Sequence, residues 1–389
     1  RPVGGGSVLI TGGTGDLGAE LARHLVTNHG VTHLVLTSRR GLDAAGAPEL
    51  VEELVGLGAE SVLVPTCDVA QWDDVKQLDA ALVEGPPLRD VFHLAGVIDD
   101  GLLGALTPER VETVLSPKVK GTWNLHRWTR ERALTHFVVF SSFSGLTGNP
   151  GQGSYAAANV FMDALMAHRR EAGLPGLSLA WGPWSTGGML ATLSDAERTR
   201  MERAGMVPLS AEEGFELMDR AMARPESVLV SAHLDPAQVQ RQVNQGAPLP
   251  SLFKTLVSAK TTSPGLGPAG ASALQRRLAA LPVAEREASL LETLRAEVAQ
   301  VLGLASGRSV NPTTSLQELG ADSLMSVELR NRLVALTGAT LPTTLVFDYP
   351  TTEALTGFIL TQLDLKDAPQ GSGRPRRPAS QQLDEPIAV

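Results

Sequence analysis

The chain has 389 residues, 43% hydrophobic and 19% charged, with a formal net charge of -9, a balance ordinary for a soluble globular protein of two or three domains. The negative charge argues against nucleic acid or a membrane surface as partner, and no apolar run reaches the roughly 18 residues of a membrane span. The single cysteine, Cys67, excludes an internal disulfide and fits a reducing, cytoplasmic setting, and no apolar targeting segment follows Arg1-Pro2-Val3-Gly4-Gly5-Gly6.

In chain order, residues 7 to about 235 alternate short apolar runs with helical patterns. Ser7–Thr11, His33–Ser38, Ser61–Thr66, Asp90–Leu94, His136–Ser141, Leu177–Trp181 and Ser227–Val230 read as strands. Leu17–His29, Leu78–Val83, Val119–Arg132 and Tyr155–Glu171 have helical period. The alternation predicts a Rossmann-like α/β domain, a doubly wound parallel sheet covered on both faces. We place this domain at 1–250. Residues 251–283 read as a linker, Thr261–Ala271 being almost wholly Thr, Ser, Pro, Gly and Ala. A small all-α bundle is expected at 284–365, from the spacing of Leu290/Leu291/Leu294/Val298/Val301, Leu324/Val327/Leu329/Leu333 and Leu355/Phe358/Ile359. Pro, Gly, Ser, Gln and Arg make 366–389 a second linker.

The first strand runs into Thr11-Gly12-Gly13-Thr14-Gly15-Asp16-Leu17-Gly18 and then a helix. Glycines allow the tight turn and the close approach of backbone to a pyrophosphate, and the following helix N-terminus directs N–H groups at it. The second strand ends in Ser38-Arg39-Arg40. No acid stands there to bind the ribose 2′-hydroxyl of NAD, whereas Arg39 or Arg40 can grip a 2′-phosphate, so NADPH is the expected cofactor; the alternative is a solvated basic loop. Asp68-Val69, after the third strand, can meet the adenine, or Asp68 can cap the next helix. Ala95 and Gly96, after the fourth, are small enough to let the cofactor ribose approach.

Tyr155 precedes Asn159 by one helical turn, Ser142 lies upstream and Lys118 further upstream. A ketone accepting hydride needs a proton and a hydrogen-bond donor for its oxygen. Tyr155 can give the proton, Lys118 can favour the phenolate left behind, and Ser142 can donate to the same oxygen. Asn159 shares the Tyr155 face and can orient Lys118. Lys118 beside Lys120 could instead be a solvated side chain, and Ser141 could face the substrate in place of Ser142. No metal site is read from the sequence.

These residues resemble the ketoreductase of a modular type I polyketide synthase, a member of the short-chain dehydrogenase/reductase class. The resemblance covers most of 7–235 and rests on the glycine turn, Pro117-Lys118-Val119-Lys120-Gly121, Ser141-Ser142-Phe143-Ser144-Gly145 and Gly151-Gln152-Gly153-Ser154-Tyr155-Ala156-Ala157-Ala158-Asn159. Ordinary short-chain reductases have Lys and Asn exchanged between positions 118 and 159. The resemblance selects Ser142 over Ser141. It also makes Trp181-Gly182-Pro183-Trp184 a loop over the nicotinamide and Gly187-Gly188-Met189 a substrate lid. Val97-Ile98-Asp99-Asp100 resembles the Leu-Asp-Asp signature of reductases giving a D-configured β-hydroxyl. Asp100 is then the main marker, Pro150 fits the same class, and Thr147 stands where the opposite class has Trp. Ala157, where epimerising relatives often have Pro, implies no epimerisation.

Glu318-Leu319-Gly320-Ala321-Asp322-Ser323-Leu324 precedes an amphipathic helix and, with Leu345-Val346-Phe347-Asp348-Tyr349-Pro350-Thr351, resembles an acyl carrier protein of the same synthases. That implies 4′-phosphopantetheine on Ser323, attached by a phosphopantetheinyl transferase; an Asp-Ser-Leu can also be a plain helix cap. A phosphate at a helix N-terminus is favoured by the macrodipole. The linker of about 30 residues would have a mean span of roughly 30 Å, keeping carrier and reductase at high effective concentration. In the family a structural half precedes the catalytic half, so an upstream structural subdomain is an expected partner. Asp384-Glu385-Pro386-Ile387-Ala388-Val389 resembles the opening of a downstream ketosynthase. The expectation is an NADPH-dependent reduction of a carrier-bound β-ketoacyl thioester. A non-catalytic scaffold joined to a carrier and a nucleotide-sugar epimerase are the rival readings.

Overall fold

The computed structural model describes residues 3, 5–101, 103–149, 151–185, 205–244, 251–253, 273–302, 304, 306–321, 323–342 and 344–363. The chain divides into two compact units, Arg1–Pro264 and Gly265–Val389.

In the first unit, β1 (Ser7–Thr11), β2 (His33–Thr37), β3 (Ser61–Leu63), β4 (Leu88–His93), β5 (His136–Ser142), β6 (Leu177–Trp181) and β7 (Val228–Ser231) form one sheet in the order β3-β2-β1-β4-β5-β6-β7. Every pairing in it is parallel. Successive strand residues point to opposite faces. Val8, Ile10, Leu36, Phe92, Val138 and Phe140 join one core with Leu21 and Leu25 of α1 (Asp16–His29) and with Phe215 and Met218. Leu9, Val35, Val91, Phe137 and Val139 join another with Leu125 of α5 (Gly121–Thr129) and Met162 and Met166 of α7 (Gly153–Glu171). Both faces are therefore dry, which is why these strands are continuously apolar rather than alternating. The strand order reverses direction between β1 and β4, and in such sheets ligands bind outside the strand C-termini at that crevice.

Several expected elements move. The third strand stops at Leu63 rather than Thr66, Pro65 having no N–H for the ladder, though Thr66 still bridges to Ser38. The helix read at Leu78–Val83 is α3, Trp72–Ala81. The helix expected to run unbroken over Val119–Arg132 opens with a π-helical turn, Ser116–Lys120, ahead of α5. Pro117 within it lacks an amide proton, and single π turns recur at functional sites. The helices α2 (Ala47–Gly56), α4 (Pro108–Leu115), α6 (Ser144–Thr147) and Ala211–Met222 are additional to the segments named from the sequence.

In the second unit the helix Val283–Val301 packs on Ser323–Thr337 and Thr352–Gln362. Leu290, Leu294, Val298, Leu329, Leu333, Leu355 and Ile359 are buried. A further helix, Ala273–Ala279, falls in the stretch expected as linker. Its Leu274 and Leu278 are buried, so packed structure begins ahead of residue 284. No described helix is long and apolar enough to cross a membrane.

Candidate functional site

The glycine turn lies at the C-terminal end of β1, where β1 and β4 part. Gly12 has φ +70°, and its amide and that of Gly13 both donate to the Thr37 carbonyl closing β2. A Cβ on Gly13 would sit 2.8 Å from the Leu36 Cβ, and one on Gly18 2.3 Å from the Gly12 carbonyl oxygen. Side chains there would push β2 and α1 away from the turn. At Gly15 a Cβ would meet only an ordinary contact of 3.4 Å, leaving room beside the start of α1, which has no side-chain cap. Thr14, Asp16 and Leu17 complete the turn. The cradle thus fits a pyrophosphate.

Ser38, Arg39 and Arg40 follow β2. Both arginines are exposed, and the Ser38 hydroxyl is buried with no partner. A polar orphan beside two free-reaching guanidinium groups fits a phosphorylated ribose. Asp68 accepts from the Ala70 amide at 3.0 Å, an Asx turn ahead of α3, and Val69 is buried against Gly121. Gly96 has a use beyond making space for a ligand: a Cβ there would lie 2.9 Å from the Lys118 Cε.

Lys118, on the π turn, is 4% exposed. Its amine donates to the Asn159 Oδ1 at 3.0 Å and the Phe140 carbonyl at 3.1 Å, and stands 5.1 Å from the centre of the Tyr155 ring. Asn159 in turn donates to the Tyr155 carbonyl at 2.8 Å. The solvated-lysine alternative for Lys118 is thereby excluded. Ser142 ends β5 and is half-buried; its oxygen accepts from the Ser144 amide at 3.2 Å and hydroxyl at 3.0 Å, leaving its own proton to donate. Ser141 is buried and points to α7, 3.4 Å from the Asn159 carbonyl. The structure thus gathers Lys118, Ser142, Tyr155 and Asn159 at the C-terminal end of β5.

Electrostatics correct one expectation. Tyr155 is not made more acidic by the ammonium: burial pushes the phenol above its ordinary value, outweighing hydrogen bonding to Ser142 and Asn159, with the Asp100 charge adding to the rise. The physical reason is burial, which disfavours the charged phenolate; the Lys118 amine stands 5.1 Å from the ring centre. Lys118 itself is pulled down to about 8 by burial, the Asp163 charge opposing.

Two residues that were not singled out support the set. Buried Asp163, two turns after Tyr155, accepts from the Ser178 hydroxyl at 2.5 Å; its place on the face carrying Tyr155 and Asn159 was the available signal. His93, fully buried and held down to about 3 by burial and the Lys118 charge, is hydrogen-bonded to the Thr11 hydroxyl at 2.7 Å and to the Pro117 carbonyl at 3.1 Å. It joins the glycine turn to the turn carrying Lys118. Cys67 is buried and pushed up to about 12 by burial, which makes it a poor nucleophile.

Asp100 accepts from the Gln152 amide at 2.8 Å, and the Gly101 amide donates to the Gly151 carbonyl at 2.8 Å. Arg110 clamps Asp99 and the Asp100 carbonyl. The Asp99–Asp100 loop is therefore fixed to the residues that start α7. Pro183 accepts from the Leu209 amide at 2.8 Å. Pro150 and Met189 lie outside the described residues. In the second unit Ser323 opens the helix Ser323–Thr337, three residues after Gly320 at φ +94°.

Residues 6–186 match the family described as KR domain, and 292–359 the family described as phosphopantetheine attachment site. Over 98% of its length the chain is 48% identical to the spectinabilin polyketide synthase system protein NorB of Streptomyces orinoci. Over 94% it is 45% identical to the mycoketide-CoA synthase of Mycobacterium tuberculosis. It spans only 17% and 9% of those proteins' lengths. Among solved structures, A-type ketoreductases from a modular polyketide synthase are similar at 38% identity and TM-score 0.60, covering 67% of this chain and 53% of that one. The first ketoreductase of the tylosin polyketide synthase follows at 41% and 0.57, covering 64% and 52%. The chain carries a ketoreductase domain followed by a phosphopantetheine attachment site, and its relatives are type I polyketide synthase proteins.

Proposed function

We propose that the chain reduces a β-ketoacyl thioester, held on phosphopantetheine at Ser323, to the D-configured β-hydroxyacyl thioester with NADPH during polyketide elongation. The observation that carries this reading is the convergence of Lys118, Tyr155 and Asn159 in one buried cluster, with half-buried Ser142, beside the glycine cradle. Gly12, Gly13, Thr14, Gly15, Asp16, Leu17 and Gly18 would hold the pyrophosphate. Ser38, Arg39 and Arg40 would hold the 2′-phosphate, Asp68 and Val69 the adenine, and Ala95, Gly96 and Pro183 the ribose and nicotinamide end. When bound, the reduced cofactor supplies the hydride.

The residues do the rest. Ser142 donates a hydrogen bond to the ketone oxygen and fixes it. Tyr155 passes its phenolic proton to that oxygen as negative charge develops. The phenolate left behind faces the Lys118 ammonium across its ring, and Asn159 holds that ammonium in place. Because burial keeps Tyr155 protonated, the acid is loaded near neutral pH. Asp100, with Pro150 and Met189 by the resemblance, would set the face of the ketone that is reduced. The remaining partners of this reading are an upstream structural subdomain, a downstream ketosynthase and other synthase domains, and a phosphopantetheinyl transferase, all in the cytoplasm.

Intact-mass measurement tests it. The chain is treated with a pantetheinyl transferase, loaded with a β-ketoacyl group and given NADPH. The loaded species should gain the mass of two hydrogen atoms. Tyr155→Phe should lower the rate by about 100- to 10,000-fold with NADPH binding unchanged, and Ser323→Ala should never load. A loaded chain that gains no mass defeats the reading.

A further inference from the structure

A second cluster of chemically capable side chains lies away from the reductase set. His24 and His29 stand on the second half of α1, and Asp219 on the helix Ala211–Met222. The His24 Nε2 is 3.1 Å from one Asp219 oxygen and the His29 Nε2 2.9 Å from the other. One ligand atom from each residue lies within 4.8 Å of the others. We propose that His24, His29 and Asp219 form a binding site for a zinc-class divalent ion that clasps α1 to the helix Ala211–Met222. This inference does not rest on the reductase reading.

Three features carry it beyond a set of hydrogen bonds. First, the donor set of two imidazole nitrogens and one carboxylate oxygen suits zinc and its first-row neighbours, with water completing a tetrahedron. Second, the rings are held in place. His24 stacks on Phe215, four residues before Asp219, with centroids 5.0 Å apart, and meets His29 edge-on at 5.2 Å. Third, the side chains keep 11%, 18% and 33% of their exposure, so an ion and its water can reach them. Metal–ligand bonds near 2.0–2.1 Å put ligand atoms roughly 3.3 Å apart, a contraction that side-chain rotation supplies. The present contacts need each Nε2 to carry a proton. A metal bound at Nε2 would need that proton on Nδ1 instead.

The site has a structural consequence. Phe215 is also 5.4 Å from the Trp184 ring, and Gly214 lies so close to Trp184 that a Cβ there would be 2.3 Å away. The helix Ala211–Met222 thus backs the Pro183-Trp184 segment, and a metal clasp would brace that segment against α1.

The test uses the full chain after chelator treatment. Equilibrium dialysis against Zn²⁺ should find one tightly bound equivalent, and the thermal midpoint should rise with Zn²⁺ concentration, as mass action requires. Asp219→Asn and His29→Gln should each weaken binding at least about tenfold. His168→Gln should not; that residue neighbours His126, ring centroids 6.1 Å apart, and is the competing pair. Should the first two variants fail to fold, Cu²⁺ electron paramagnetic resonance on the His168→Gln chain decides, with coupling to two imidazole nitrogens expected. Absence of stoichiometric Zn²⁺, unchanged binding in Asp219→Asn and His29→Gln, or a Cu²⁺ spectrum without nitrogen coupling overturns the proposal and leaves a hydrogen-bonded His–Asp–His contact.

Discussion

The Lys118 amine lies 3.0 Å from the Asn159 amide oxygen, a contact that joins the π turn after α4 to the middle of α7. Both side chains are buried. Asn159 is pinned at its other end by its bond to the Tyr155 carbonyl, so one amide fixes the cation relative to the phenol-bearing turn. Asn159→Ala would leave a buried ammonium one acceptor short. We expect a stability loss of about 1–3 kcal/mol in urea titrations and a fall in kcat with little change in the NADPH dissociation constant. Asn159→Asp, which restores an acceptor, should recover the stability.

The pH dependence follows from Lys118. Its folded value of about 8 lies below the ordinary 10.5, so the unfolded chain binds more protons between those two values. Stability therefore rises with pH across that window. The cost of burying the cation is full below about pH 8 and, at roughly 3 kcal/mol, is relieved by about 10.5. Activity moves the other way, since the phenolate loses its cation as pH climbs through about 8. Urea midpoints at several pH values, beside kcat profiles, check both slopes. Asp163 holds the Lys118 value up, so Asp163→Asn should shift the alkaline fall in kcat to lower pH. A variant that merely loosened packing would lower kcat without moving that limb.

Much of this was legible in the sequence because the signals are local. Strands such as Ser7–Thr11 and Leu177–Trp181 appear as expected, since a sheet buried on both faces needs unbroken apolar runs. The glycine turn and the Tyr155–Asn159 spacing are set by one turn and one helix, and both survive. The misses come from longer-range causes. The π turn depends on how Pro117 is accommodated between two helices, and periodicity over Val119–Arg132 cannot see it. The rise of the Tyr155 value depends on burial by partners distant in sequence, Val114 among them. His93 looked like one more residue of an apolar strand, and its bonds to Thr11 and Pro117 arise only when three segments meet.

His93 supplies a separate test. It satisfies the Thr11 hydroxyl and the Pro117 carbonyl at once, and its ring is held neutral. His93→Leu keeps the volume approximately and removes the ring's bond to each, leaving the Thr11 hydroxyl only its long contact with the Ala95 amide at 3.4 Å. That should cost about 1–3 kcal/mol, read as a drop in urea midpoint. With the glycine turn and Lys118 no longer tied together, both the NADPH dissociation constant and kcat should worsen. His93→Gln should recover part of each, because its amide has both a donor and an acceptor.

Cofactor choice is set at the end of β2. Arg39 and Arg40 are exposed, and the neighbouring Ser38 hydroxyl has no partner. A 2′-phosphate there would accept from all three, with charge-assisted bonds worth about 1.5–3 kcal/mol. NADH, carrying only a 2′-hydroxyl, would forgo most of that. Arg39→Ala/Arg40→Ala should therefore raise the NADPH dissociation constant by about 10- to 100-fold and leave that of NADH nearly unchanged. It should also flatten the salt dependence of NADPH binding, because an exposed ion pair is screened within a Debye length of about 10 Å at 0.1 M salt. Fluorescence titration with the two dinucleotides at two salt concentrations measures both effects. Equal loss for NADH and NADPH would mean that the arginines support the loop rather than read the phosphate.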